Sequence, residues 1–350
     1  METSGIIICP VHSMNTTDSP TVSVIIPNYN YARYLPDRIE SVLNQTFRDF
    51  EVIILDDCST DDSRNVIERY RDHPKVSHII FNERNSGSPF TQWEKGLGIA
   101  RGKYAWIAEA DDLADPRFLE KTVSVIESDD DIAVVRAMSH LIDSDGNPSP
   151  RKPFDDYAAD KNIYVYEGKD FLHTRMSHWN HVYNASMVLF RVDVWKNLSD
   201  KSYVNFRYVG DWLFWGQLMD GHKVAIIREH LSYFRLHGHS VTDGAKLTTR
   251  ARAEGEIVKH LFGCKNPDMP YGLNIYNRYH LYRIFHGDPN SEVGQEIERF
   301  YPGFWKEIGI TRFTYPYFWL YKHSIWLIEK RMLRSNGLKL KPLSVIKGQD

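Results

Sequence analysis

Two pairs of adjacent aspartates, Asp56-Asp57 and Asp111-Asp112, stand directly or shortly after the apolar runs Phe50–Leu55 and Tyr104–Ala108. In open α/β sheets, ligands bind beyond the carboxyl ends of the strands. If both runs are strands of one sheet, up to four carboxylates reach one rim. Helix capping is the plain alternative, because Asp is a good N-cap and complements the helix dipole. Clustered like charges nevertheless repel unless a cation or hydrogen-bond donors compensate them, so capping alone is a poor account of two pairs. A divalent hard cation on oxygen ligands, Mn2+ or Mg2+, is the natural partner.

The elements needed to position these acids are legible in the chain. Val22–Ile26 is a β-branched run that Pro27 is expected to stop, and Leu35, Ile39, Val42 and Leu43 then recur at one-face helical spacing. Strand signals return at 50–55, 76–81, 104–108 and 132–136, separated by a helix lined by Val66, Ile67 and Tyr70 after cap residues Ser59-Thr60-Asp61 and by helical patterns around 93–100 and 116–128. Such alternation predicts an α/β fold with a mostly parallel sheet covered by helices on both faces. Beyond residue 136 the order becomes less regular, with strands expected at 186–191, 223–227 and 231–237 and a helix starting at Asp211. Residues 1–20 read as a flexible arm, 21–244 as the main α/β domain, and 245–350 as a helical accessory region.

Composition narrows the classes. With 43 basic and 46 acidic side chains in 350 residues, bulk charge gives no argument for nucleic-acid binding. Cys9, Cys58 and Cys264 are odd in number and lack CxxC spacing, which disfavours a disulfide framework and a zinc ribbon. No stretch of about 18 apolar residues is present, so a cytoplasmic chain is the expectation. No glycine occurs between Gly5 and Gly87, so the turn after the first strand is neither a GxGxxG nor a Walker loop. A diphosphate bound at this rim would need a cation in place of that loop.

Thr21–Asn30 (TVSVIIPNYN), Gln45-Thr46-Phe47, Asp56–Asp61 (DDCSTD), Asn85-Ser86-Gly87 and Glu109-Ala110-Asp111-Asp112 together resemble the inverting, nucleotide-sugar-dependent glycosyltransferases of family 2, which have the GT-A fold. The resemblance covers about residues 21–242. It implies that Asp57 bonds the pyrimidine base of the donor and that Pro27 and Tyr29 wall the base pocket. It places Ser86 in the segment lining the donor phosphates and sugar, with Trp93 either there or in the core. Asp111 is expected near the ribose or the metal shell, and Asp112, an exposed rim carboxylate, as the direct metal ligand. Ala110 departs from the simplest D-x-D spelling, which leaves Glu109 as a supporting group or a bystander.

The same resemblance makes Asp211, in Tyr208–Trp215 (YVGDWLFW), the candidate general base for an acceptor hydroxyl, with a helix N-cap as the competing reading. Gly210 stands where the family often carries a second acid. Arg235–Thr242 (RLHGHSVT) is similar to the family's closing segment, so His237 is a candidate third metal ligand or diphosphate donor, and His239 reads as structural. Trp179, Trp212 and Trp215 could stack on sugar rings, although the spacing of Trp212 and Trp215 fits core packing.

The last forty residues carry eight basic and two acidic side chains. Aromatics mixed with Lys and Arg across 313–334 fit either peripheral contact with an anionic membrane or a packed helical cap. The expected activity is transfer of a sugar, most simply UDP-linked, to a hydroxyl of a glycan or lipid-linked glycan in surface polysaccharide or related glycan synthesis. The alternatives are a non-catalytic nucleotide- or carbohydrate-binding module and a sugar nucleotidyltransferase, and the latter lacks its glycine-rich loop.

Overall fold

The computed structural model describes residues 9–10, 19–151, 159–177, 179–238, 248–263, 292–307 and 342–347. The tail segment 313–334 and His239 lie outside the described residues. The strands are β1 (Cys9–Pro10), β2 (Val22–Asn28), β3 (Phe50–Asp56), β4 (Val76–Phe81), β5 (Tyr104–Ile107), β6 (Leu113–Ala114), β7 (Ile132–Ile142), β8 (Ile163–Glu167), β9 (Val188–Arg191), β10 (Lys223–Arg235) and β11 (Ser344–Ile346). They form one sheet in the order β1-β4-β3-β2-β5-β9-β7-β10-β8-β11, with β6 paired to β10. β4, β3, β2 and β5 run parallel, as do β7 and β10. β9 is antiparallel to both β5 and β7 and joins the two parallel groups. The fold is thus the expected α/β class, parallel in its core and mixed beyond it.

Both sheet faces are covered, which is why the central strands read as continuous apolar runs rather than alternating ones. Helices α1 (Leu35–Leu43), α2 (Ser63–Glu68) and α4 (Phe118–Glu127) lie on one face, packed over Val24, Ile26, Val52 and Ile54. On the other, α3 (Pro89–Ile99), α5 (Gly210–Met219) and α6 (Thr249–Gly263) cover Ile25, Ile53 and Leu55. Helix α6 falls in the expected accessory region, yet its Val258 and Phe262 belong to this core. A Cβ on Gly216 of α5 would lie 2.1 Å from the Phe262 ring, so only glycine permits that helix contact. Cys9 and Pro10, expected in the arm, pair with Ile79 and His78 at the edge of the sheet.

Pro27 does not stop β2, which runs on to Asn28. Backbone polar groups alternate in direction along a strand, and Ile25 O accepts from Ala108 N on the β5 side. Pro27 therefore faces the side that β5 has already left after Ile107, where no ladder bond needs its missing N–H. On the opposite side Asn28 O accepts from Asp57 N, which carries the β2–β3 register into the first site loop. The strands expected separately at 223–227 and 231–237 are one, β10, with register shifts on either side of His230.

Candidate active site

The site lies where β2, β3 and β5 end. Asn30, at φ 60°, accepts through Oδ1 from the backbone N–H of Thr60 at 2.7 Å, which ties the loop after β2 to the loop after β3. Below it, Asp56 Oδ1 accepts from Asn28 Nδ2 at 2.7 Å and from Ser59 Oγ at 2.6 Å. Asp56 is therefore a buried brace between the strands. Neither aspartate pair caps a helix: the caps of α2 and α4 are Asp62 and Arg117.

Asp57 anchors the next segment. Its Oδ1 accepts from Asn82 Nδ2 at 2.6 Å, Ser86 N at 2.9 Å and Gln92 Nε2 at 2.9 Å, and its Oδ2 accepts from Ser86 Oγ at 2.7 Å. Asp57 and Ser86, expected as separate donor contacts, are thus bonded to each other, and the 85–88 turn is held against β3. Pro27 is buried in β2 opposite Leu55, whereas Tyr29 is exposed.

The second pair is compensated differently. Asp112 is buried, not exposed as expected, and both of its oxygens are engaged: Oδ2 accepts from Ser186 Oγ at 2.7 Å and Oδ1 from Arg235 N at 2.9 Å. Asp111 is the more accessible of the two, and its Oδ2 lies 2.9 Å from Nε2 of His237. Arg235 Nε donates to Asp111 O at 2.7 Å, and its guanidinium lies over the Tyr34 ring. Tyr31 and Tyr34 pack on the His237 imidazole, with ring centroids 5.6 and 5.3 Å away.

Beneath these acids sits Arg38, fully buried on α1. It donates through Nε to Glu109 O at 2.8 Å and through Nη2 to Ser186 Oγ at 2.6 Å, and it stacks over Trp106. Ser186 Oγ also accepts from Glu109 N at 3.0 Å, so this hydroxyl takes two bonds and gives its own to Asp112. Burial lowers Arg38 to about 10, against the opposing pull of Asp112, Asp111 and Glu109. Burial likewise pushes Glu109 up to about 8, with the Asp111 and Asp112 charges adding to the rise. It raises Asp112 too, reinforced by Asp111, and the Tyr31 phenol moves up for the same reasons. Trp93 is buried in the core and still reaches the site, since its Nε1 donates to Glu109 Oε1 at 3.0 Å.

Asp211 is the second residue of α5, whose cap is Val209, so the carboxylate is not the helix cap. Its Oδ2 accepts from Asn180 Nδ2 at 2.8 Å, and Asn180 is oriented by accepting Val182 N at 3.0 Å on its own Oδ1. Burial pushes Asp211 up to about 7, although the bonds from Trp212 N and Asn180 favour its charged form. Trp212 and Trp215 are buried in the core, and Trp212 Nε1 bonds Met176 O at 2.8 Å. Trp179 is 56% exposed, one residue from Asn180.

As a cation site, the pairing of a carboxylate and an imidazole at Asp111 and His237 fits a divalent ion, and one oxygen plus one nitrogen suits Mn2+ better than Mg2+. Asp112, the expected direct ligand, accepts one bond on each oxygen and retains further lone pairs, but it is enclosed, whereas Asp111 is the more accessible carboxylate. Among the described residues, no group of three or more His, Cys, Asp and Glu side chains is arranged to hold a metal ion.

Ser186, Arg38, Asn180 and Arg235 carry much of this geometry, and no motif in the sequence assigns them a role. Two of them leave a sequence signal: Arg235 opens the RLHGHSVT segment, and Arg38 shares the buried face of α1 with Leu35, Ile39 and Val42, a position where a charge demands compensation.

Residues 23–198, half of the chain, match the sequence profile of Glycosyl transferase family 2. An uncharacterised glycosyltransferase of Haemophilus influenzae is 27% identical over 285 residues, covering 79% of this chain and 84% of that one. Among solved structures, TarS (1–349) of S. aureus in complex with UDP-GlcNAc is similar with a TM-score of 0.59 at 18% identity over 80% of each chain. The mannosyltransferase PcManGT of Pyrobaculum calidifontis, in complex with GDP-Man and Mn2+, gives 0.53 at 14% identity over 96% of this chain and 86% of that one. The structural likenesses establish a shared fold, and the profile match extends from the first core strand through Ser186 to the end of the β9 region; the chain belongs to glycosyl transferase family 2.

Proposed function

We propose that this glycosyltransferase inverts configuration and moves one sugar from a UDP-linked donor to a hydroxyl of a glycan or lipid-linked glycan. The observation that carries the proposal is Asp211, a carboxylate aimed by Asn180 and raised to about 7, near the value at which a base is most effective in neutral solution. Asp211 takes the proton of the acceptor hydroxyl as its oxygen attacks the anomeric carbon from the face opposite the leaving group. The bond from that carbon to the diphosphate oxygen breaks, and the diphosphate departs with the electron pair. Asp111 and His237 would hold a divalent cation, with Asp112, Ser186 and Arg235 fixing their loops. When bound, such an ion stabilises the charge of the diphosphate.

The loop held by Asp57 and Ser86 supplies a rigid wall for the donor, and Pro27 and Tyr29 are candidates for its base. Trp179 offers an exposed aromatic face for an acceptor ring. The UDP-GlcNAc complex of TarS and the GDP-Man and Mn2+ complex of the mannosyltransferase support a nucleotide sugar and a cation as ligands to try. Calorimetric titration with a panel of UDP- and GDP-sugars, with and without Mn2+ or Mg2+, tests the reading. UDP-sugars are expected to bind in the presence of metal; binding of none of the panel, or of GDP-sugars alone, would sink the donor assignment.

A further inference from the structure

We infer that Glu254 is a positioning residue for the reaction: through it, helix α6 fixes the turn that carries Asp211. Glu254 is fully buried, yet it lies on a helix that begins after the core strands are complete. Its carboxylate turns away from α6 and accepts three consecutive backbone N–H groups, from Arg207 at 2.8 Å, Tyr208 at 2.8 Å and Val209 at 3.3 Å. Val209 immediately precedes α5, and Asp211 is two residues further on. The N-cap Val209 makes no side-chain cap bond, and Glu254 satisfies its backbone N–H together with those of the two residues before it, while Asp211 accepts from Trp212 N within the first turn. An anion there also complements the helix dipole.

The turn is confined from the other side as well. A Cβ on Gly210 would lie 2.5 Å from Tyr203 O and 2.6 Å from the Phe90 ring, so the backbone beside Asp211 is pressed against neighbours. Glu254 is itself held, since Arg250 Nε donates to its Oε1 at 2.9 Å. Its charge also contributes to the upward shift of Asp211. Helix α6 therefore orients the base without touching substrate. The inference rests on Asp211 being the base.

The test uses the full chain with Glu254→Gln, Glu254→Asp, Arg250→Ala and Asp211→Asn. Nucleotide release is measured on whichever sugar of the UDP and GDP panel the wild type consumes fastest, and UDP affinity is measured by calorimetry with Mn2+. Glu254→Gln loses one acceptor oxygen and Glu254→Asp falls short by one methylene. Each should lower kcat about 10- to 100-fold, as expected when a reacting group is displaced by a fraction of its bond reach. Donor KM and UDP affinity should stay within about twofold. A folded Glu254→Gln with wild-type kcat overturns the inference, and so does an equal loss of UDP affinity and kcat, which is what general loosening would give. Should both Glu254 variants fail to fold, Arg250→Ala decides: it leaves the carboxylate but removes the side chain that braces it, so unchanged kcat counts against the inference. Full turnover by Asp211→Asn would instead remove the base reading beneath it, whereas an inactive Asp211→Asn beside an unaffected Glu254→Gln removes the inference alone.

Discussion

Nε2 of His237 and Oδ2 of Asp111 lie 2.9 Å apart although 126 positions separate them in the chain. The contact forms because β10 delivers His237 to the rim just after Arg235, whose backbone N–H and Nε clasp the Asp111-Asp112 turn. A carboxylate and an imidazole held face to face can share a proton or a cation. Asp111→Ala and His237→Ala should each weaken Mn2+-dependent UDP binding at least tenfold, while binding measured in chelator stays where it was. Equal UDP affinity of the wild type with Mn2+ and with chelator would end the cation assignment.

Asp112→Ala should act on stability. Its loss strands Ser186 Oγ–H and Arg235 N–H in a buried setting, and an unsatisfied buried donor costs about 1–3 kcal/mol. Urea denaturation should show a lowered midpoint with an unchanged slope. A midpoint equal to that of the wild type would mean that the carboxylate is dispensable to the fold.

Asp211→Asn keeps the size and one acceptor oxygen but cannot take a proton at neutral pH. Turnover should fall by about 10²–10⁴, the range of a general base, with donor affinity within a few-fold of wild type. Because the base must be ionised, wild-type kcat should rise with pH through about 7. Near-complete turnover in the variant would send the search to other acids facing the acceptor, Glu109 first.

The same group makes a stability prediction of fixed sign. With a folded value near 7 against 3.8 for an ordinary aspartate, the native chain holds a proton between those values that the unfolded chain has released. Its contribution is present below about pH 4 and is lost as the pH rises to 7. Melting curves of Asp211→Asn should therefore decline less between pH 5 and pH 8 than those of the wild type. A steeper decline would contradict the raised value.

Trp179→Ala removes an exposed face next to the residue that aims Asp211. Acceptor KM should rise several-fold with donor KM and melting temperature unchanged. An unaltered acceptor KM would leave Trp179 as an ordinary surface aromatic.

The order of strands and helices from β2 to β7 was legible, apart from the two-residue β6, because both faces of the central sheet are buried, so each strand is a short apolar run bounded by turn residues. The acidic motifs were legible as neighbours in sequence, and their positions at strand ends followed from the alternation. Which oxygen meets which donor was not. Asp112 and Asp111 differ by one position, yet only the arrival of β9 and β10 decides that the first is enclosed by Ser186 and Arg235 while the second meets His237. Asp211 similarly stood out by its motif, but the groups that fix it, Asn180 and Glu254, come from segments 31 and 43 residues away in sequence and bear no local signature. Hydrophobic periodicity is a property of neighbouring residues and survives in the sequence; the satisfaction of a buried carboxylate depends on contacts between distant segments, and only the packed chain brings those together.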